Sequence, residues 1–352
     1  MIYIGIDAHK KYSYCTAIDE DGQILHEARI DGNDEHLFAE FIRIAGGQKG
    51  CRAVVETSSV WMIIYDIWEE LPGVEEVVLA HAYKTRIIAE AQIKTDKIDA
   101  RILAQLLRTD LICQAHIPCR ETRHRKEVLR QRAFWVRDRT RLRNRIRRLL
   151  GQQRHLEMPQ VKNLWTQKGQ AALRTLELPA PFDRLLAQDL DALKLLDSQV
   201  KDLEKTSEAT MTHDAMLLRT IPGFGVVLSS MVADEVDEIL RFPSASRLVA
   251  YSGLCPSTQS SGDKTYHGRM LRQCNKWLKW AFIEAAWVAV GCDPYFGGIY
   301  RRHRARGKGA NKAITIVARR MCPIAFAILK EQRAYQKRTS VVMKNVPGRS
   351  AC

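Results

Sequence analysis

Four carboxylates in the first hundred residues have the surroundings that metal-assisted phosphodiester chemistry requires. Asp7 ends the apolar run Tyr3-Ile4-Gly5-Ile6, and Glu56 ends a second one, Ala53-Val54-Val55. Asp96 and Asp99 lie in Lys94-Thr95-Asp96-Lys97-Ile98-Asp99-Ala100-Arg101, where a helix opens. Three residues apart on a helix, those two side chains share one face. Carboxylates that converge repel one another unless cations neutralise them. Two Mg²⁺ ions about 4 Å apart would do so, activating a nucleophile and stabilising a leaving oxygen. Each residue alone has a plainer role, Asp96 and Asp99 as helix-capping charges and Glu56 as a strand-end surface group. As a set inside an acidic region they point to a catalytic site.

A different chemistry is offered by Ser260-Ser261-Gly262, in a polar stretch from Gly253 to Gly268 that reads as a loop, flanked by Lys264, His267, Arg269 and Arg272. A serine hydroxyl among cations can attack a phosphodiester, its alkoxide and the phosphorane charge both being stabilised. Ordinary Ser/Gly loops share this composition. Ile221-Pro222-Gly223-Phe224-Gly225 resembles the hairpin of a helix-hairpin-helix element, in which Gly223 and Gly225 let backbone N–H groups approach phosphate. Pro-Gly also makes plain helix–helix turns.

Charge separates these features along the chain. The 352 residues carry a formal charge of +15, yet residues 1–115 hold 12 Lys+Arg against 19 Asp+Glu. Residues 116–215 hold 21 against 13, and residues 216–352 hold 22 against 8. From Arg120 to Arg148 there are 13 basic and 3 acidic residues, and Arg139, Arg141, Arg143, Arg145, Arg147 and Arg148 read as surrounding a helix without acidic partners. Arginine forks suit phosphate, and neutralising several phosphates gives salt-sensitive binding without sequence reading. Carboxylate chemistry at the front and polyanion binding behind it is the division this implies. No apolar run reaches the roughly 18 residues of a membrane span, and no signal peptide is visible. Nine cysteines without a Cys-x-x-Cys pair read as reduced thiols of a cytosolic protein.

The elements that must position these residues follow from pattern. Three strands (Tyr3 to Asp7, Tyr12 to Ile18, Gln23 to Arg29) form a meander through an Asp-Gly turn, followed by a helix capped at Asn33 or Asp34. Strands at 52–56 and 77–80 then alternate with helices, the order of an RNase H-like α/β fold. Residues 120–150 read as one long helix with Val128, Trp135, Leu142 and Leu149 every seven residues, partnered by Phe182 to Leu203 in a helical hairpin or a dimerising coiled coil. Residues 215–332 read as helical, with a basic, Gly-containing stretch separating helices at about 270–290 and 310–332. The fold class is thus α/β plus all-α: domains at 1–115 and 116–213, a mainly helical one at 214–335, and a basic tail at 336–352.

Taken together, Ile4-Gly5-Ile6-Asp7-Ala8-His9-Lys10, Val54-Val55-Glu56-Thr57, Lys94-Thr95-Asp96-Lys97-Ile98-Asp99-Ala100, Gly253-Leu254-Cys255-Pro256, Gln259-Ser260-Ser261-Gly262 and Asn275-Lys276-Trp277-Leu278 resemble the IS-one-ten family of insertion-sequence transposases. These DEDD transposases include the pilin-gene invertase. The resemblance implies a RuvC-like N-terminal domain, a coiled-coil middle and a C-terminal transposase domain. It implies that Asp7, Glu56, Asp96 and Asp99 bind Mg²⁺ and that Ser261 is the nucleophile, with Ser260 its neighbour in contention. It further implies strand exchange between donor and target DNA, a structured noncoding guide RNA, and a homodimer or homotetramer with active sites shared across protomers. One departure is Cys274, where the family has glycine, so a left-handed backbone there would be strained. The rival readings are a junction-resolving nuclease in which water attacks, a site-specific DNA invertase, and a non-catalytic nucleic-acid organiser.

Overall fold

Alternation along the first strand, β1 (Ile2–Ala8), sends Ile4, Ile6 and Ala8 to one face of a sheet and Tyr3, Gly5 and Asp7 to the other. In the computed structural model this strand is the centre of a five-stranded mixed sheet. Residues 1–47, 50–88, 95–154, 156–261 and 264–337 are described. The chain divides into two units, Met1–Ile117 and Pro118–Cys352. The basic hairpin and the C-terminal helices fall together in the second.

In the first unit, β2 (Tyr12–Ile18) and β3 (Ile24–Asp31) extend β1 as an antiparallel meander. Their connection is a turn held by Asp19, whose carboxylate accepts from the Asp21 and Gln23 amides, with Gly22 at φ 84°. Next come α1 (Glu35–Ile44), capped by Asp34, β4 (Cys51–Glu56), α2 (Trp61–Glu70), β5 (Val74–Ala80), α3 (Ala82–Ile88) and α4 (Asp96–Arg108). β4 and β5 run parallel to β1, giving the order β3-β2-β1-β4-β5. One face buries Ile4, Ile6, Ala53, Val55 and Leu79 under Phe38 and Phe41 of α1 and Ile64 and Trp68 of α2. The opposite face packs Val54, Val78 and Ala80 against Leu103 and Leu107 of α4.

The second unit is largely helical: α5 (Arg120–Gly151), α6 (Gln167–Arg174), α7 (Phe182–Ala209), α8 (His213–Arg219), α9 (Val226–Val236) and α10 (Ala245–Tyr251). A hairpin of β6 (Pro256–Ser261) and β7 (Lys264–Met270) precedes α11 (Lys276–Cys292), α12 (Pro294–Ala305) and α13 (Ala310–Glu331). α5 and α7 pack as an antiparallel pair over Ile146, Leu149, Leu150, Leu186, Leu190 and Leu193. The seven-residue seam holds only at its end. Leu149 is buried, whereas Val128, Trp135 and Leu142 are half-buried. The first half of α5 turns instead toward α9, so Leu129 joins the C-terminal core.

Two further readings are corrected. The stretch Gly253 to Gly268 is a paired hairpin and not a loop, because its polar Ser/Thr/Gln residues pair through backbone without an apolar face to announce it. The basic stretch between the last helices is itself helix, α12, started by Asp293, whose carboxylate accepts from the Tyr295 and Phe296 amides, and by Pro294 at its first position. Cys274 avoids the expected strain. It has no positive φ, and the left-handed residue is Gly253 (φ 63°), which packs on Cys274 Sγ. Among the described residues no helix is long and apolar enough to cross a membrane.

Candidate active site and nucleic-acid interface

The carboxylate site depends on the absence of a side chain at Gly5. A Cβ there would lie 2.0 Å from the Ala100 carbonyl oxygen and 2.5 Å from the Ala104 amide nitrogen, so α4 lies directly on β1. That approach lowers the first turn of α4 toward Asp7. Thr95 caps the helix through the Ile98 amide, which leaves Asp96 and Asp99 without the capping role. In the parallel register Ile6 faces Val55, and the next step sets Glu56 beside Asp7, on the face that Val54 shares with α4. Register and helix packing thus set the four predicted carboxylates on the α4 side of the sheet, and of these Asp7 and Asp96 come within ligand distance of each other.

Asp7, His9 and Asp96 each offer a ligand atom, all within 4.8 Å of one another. His9 Nε2 stands 3.2 Å from Asp7 Oδ2 and 3.5 Å from Asp96 Oδ1, and the Tyr12 hydroxyl donates to Asp96 Oδ2 at 2.8 Å. Burial pushes the Asp7 carboxyl above its ordinary range; His9 opposes this, and the charges of Asp96 and Asp99 add to it. The Tyr12 phenol is pushed up by its bond to Asp96. A donor set of carboxylate oxygens with one imidazole fits a hard divalent cation. His9 and Tyr12 were not foreseen. They arrive because the His9 amide donates to the Tyr12 carbonyl (2.9 Å) to close the β1–β2 turn, and Asn33 braces that turn through the His9 carbonyl (2.8 Å). The one signal was Asp-x-His, two positions on the same side of a strand.

Glu27 of β3 fastens α4 from the side. Arg101 grips it with both fork nitrogens (Nη2 to Oε2, 2.7 Å), Lys97 Nζ lies 2.8 Å away, and Thr16 donates at 3.2 Å. The Arg101 guanidinium, helped by Lys97 and Thr16, holds the Glu27 carboxyl at about 2. A depressed carboxylate stabilises the fold fully above its ordinary value near 4.5, and that contribution is lost as pH falls toward 2. Glu27→Gln is expected to lower unfolding free energy by about 1–2 kcal/mol at pH 7, after allowance for solvent screening, and to flatten the acid limb of stability. Urea midpoints at pH 7, 4 and 2.5 check both.

In the second unit Ser261 is the last residue of β6 and pairs in register with Lys264, with Ser260 opposite Thr265. The side chains of Ser260, Ser261, Lys264 and His267 and all of Gly262 lie outside the described residues. Arg269 and Arg272 are exposed. The hairpin is rooted at Asn275, which caps α11 through the Trp277 and Leu278 amides and donates to Glu235 Oε2 at 2.8 Å. Glu235 is 3% exposed and also takes Arg130 (2.9 Å) and Lys126 (3.4 Å) from α5; its neighbour Asp234 takes Arg125 at 2.7 Å.

The arginine-rich helix is less free than its composition suggests. Arg139 and Arg143 both reach Asp197 (3.3 Å), Arg145 reaches Asp189 (2.9 Å) and Arg141 reaches Asp138 (2.9 Å). For these four the expectation that they lack acidic partners is corrected, because α7 supplies Asp189 and Asp197 along the antiparallel seam and α5 itself supplies Asp138. Arg147 lies over the Trp165 ring at 5.1 Å, and neither it nor Arg148 has a carboxylate partner among the described residues. Gly223 (φ 92°) is a packing residue: a Cβ would meet the Ala285 carbonyl oxygen of α11 at 2.1 Å. Gly225 stands open at the start of α9, in a groove where Lys201 and Lys205 are balanced by Glu204 and Glu208.

The front unit is a mixed α/β domain carrying an Asp/His/Asp cluster, and comparison with known proteins gives the family. Residues 4–154 match the DEDD transposase model of the IS110 type, and residues 215–301 match the transposase model of the IS116/IS110/IS902 family. The chain is 25% identical to the insertion element IS116 uncharacterized 44.8 kDa protein of Streptomyces clavuligerus, over 95% of this chain and 96% of that one. It is 29% identical to the pilin gene-inverting protein of Moraxella bovis over 42% of this chain and 46% of that one. A putative transposase for IS117 of Streptomyces coelicolor is 34% identical over 37% of this chain and 33% of its own length. The chain belongs to the IS110-type transposases and is a DNA transposase or recombinase.

Proposed function

We propose that the protein excises and integrates a mobile element by metal-assisted strand exchange through a serine–DNA intermediate. Its first unit acts as a RuvC-like, RNase H-like domain. The observation that carries this reading is the convergence of Asp7 and Asp96 on His9, made possible by the close approach at Gly5. Asp7, Glu56, Asp96 and Asp99 would hold Mg²⁺, two ions in this reading. Bound there, the metal supplies charge neutralisation and polarises phosphodiester oxygens. Tyr12 and His9 hold Asp96 and Asp7 in place through the hydrogen bonds above.

Ser261 attacks phosphorus: a new ester bond forms to its Oγ as the bond to one deoxyribose oxygen breaks. That oxygen departs as a hydroxyl, its proton balancing the one that serine gives up. A hydroxyl from another strand then reverses the exchange, conserving phosphodiester bonds without ATP. Lys264, Arg269 and Arg272 are assigned to the phosphates of the strand that Ser261 attacks. Arg147 and Arg148, with the partly neutralised Arg139, Arg141, Arg143 and Arg145, hold backbone phosphates, including those of a noncoding guide RNA, and Gly225 forms a further phosphate contact. The active form is a homodimer or homotetramer.

The test is a covalent adduct that survives denaturant. The wild-type chain is expected to carry labelled DNA on Ser261, located by peptide mass spectrometry, and Ser261→Ala to lose the adduct while its nucleic-acid binding stays within about twofold. An adduct on Ser260 would move the role by one residue. Metal-dependent cleavage with no adduct would favour water as nucleophile, and no cleavage at all would leave only a nucleic-acid organiser.

A further inference from the structure

α12 and α13 each turn one face toward a cavity of about 850 Å³, of the size that takes small ligands. From α12 come Tyr295, Gly298 and Arg302, and from α13 come Ile316, Arg319 and Arg320, at the three- and four-residue steps of a single helix face. Cys255, which also lines it, is the residue immediately before β6 and so lies at the foot of the Ser261 hairpin. The walls combine apolar surface with three arginines and include no carboxylate. Among the described residues none of these arginines has a carboxylate partner, unlike the paired arginines of α5. Arg320 Nε donates to the Tyr295 hydroxyl at 3.2 Å, which fixes the ring. His303, also in the lining, has a buried Nδ1 without a hydrogen-bond partner among the described residues. Burial, and then Arg306, Lys308 and Arg302, hold its imidazolium form down, so it presents a neutral ring.

An aromatic ring, apolar walls and an unbalanced set of guanidinium groups match one ligand chemistry: a planar base carrying phosphate. We propose that this cavity holds an unpaired nucleotide of the DNA strand undergoing exchange, its base against Tyr295 and Ile316 and its phosphates on Arg302, Arg319 and Arg320. Strand exchange needs bases out of their duplex, and a cavity beside the hairpin root captures one as pairing opens. The choice of DNA rests on the transposase reading given above.

Gly298 provides the test. A Cβ built there meets no atom within 4 Å, and the residue is helical, so Gly298→Leu extends into the cavity without displacing backbone and improves helix propensity. Full-length wild type and variants are titrated, by fluorescence anisotropy, with a labelled duplex containing a three-base unpaired bubble and with the fully paired duplex. Wild type is expected to favour the bubble by about tenfold, the worth of one stacked base. Gly298→Leu should erase that preference and keep duplex affinity within about twofold. Arg319→Gln, which leaves the walls intact, should weaken bubble binding and reduce its salt slope by about one. Retention of the preference in Gly298→Leu overturns the proposal. A bubble preference abolished by an RNA strand of the same sequence, but not by single-stranded DNA, overturns the assignment to DNA. A wild-type chain that shows the cavity-dependent preference yet forms no serine adduct would refute the proposed reaction while sustaining the nucleotide site; the converse would refute the site alone.

Discussion

Asp7→Asn is expected to reduce DNA strand cleavage by roughly 10³-fold while leaving the metal-free chain at least as stable as the parent. The activity loss follows from removing a charged ligand from the centre of the site, where electrostatic stabilisation of the reacting phosphate is worth this much. The stability outcome follows from what surrounds Asp7. It is part-buried, and Asp96 and Asp99 repel its charge. Asparagine keeps the shape and removes one of three mutually repelling carboxylates. Cleavage rates in Mg²⁺ and thermal midpoints in EDTA measure the two effects. Loss of stability with cleavage intact would reduce the cluster to a structural feature.

Gly5→Ala is the second large effect, and it acts without touching a charge. Both atoms that the new methyl would strike, the Ala100 oxygen and the Ala104 nitrogen, are backbone, so no side chain can swing aside. α4 must lift from β1, at a cost of about 1–3 kcal/mol. Lifting α4 carries Asp96 and Asp99 away from Asp7, and a displacement near 1 Å in such a site costs about 100-fold in rate. Gly151→Ala is the control, since a Cβ there meets nothing within 4 Å. A Gly5→Ala chain with full cleavage activity would mean that close packing is not what assembles the carboxylates.

Asp7 and Asp96, the two predicted carboxylates in the observed cluster, were legible because their signals are local. An apolar run that ends in a carboxylate marks a strand end, and Thr-Asp-x-x-Asp marks a helix opening; both features appear where expected in β1, β4 and α4. The strand meander was equally plain, with β2 found at Tyr12–Ile18 as read. What could not be read depends on pairings between distant residues. His9 and Tyr12 join the cluster through a turn closed by backbone bonds. The arginines of α5 find Asp189 and Asp197 some fifty residues later in the chain, and nothing in a basic run reveals that. Gly223 looked like a phosphate contact, but its missing Cβ makes room for α11. The β6–β7 pair escaped because polar strands without apolar alternation resemble loops.

One uninterrupted helix, α5, runs for 32 residues, or about 48 Å at 1.5 Å each. Near its start Lys126 and Arg130 grip Glu235, and Glu235 grips the asparagine from which the serine hairpin springs. Near its far end are Arg147 and Arg148. A rod of this kind bends little over its length, so a pull on phosphates bound at the tip, as proposed, would arrive at the hairpin's footing as leverage. In the proposed reaction, cargo seated on the arginines and the aim of Ser261 would thereby be mechanically geared to each other.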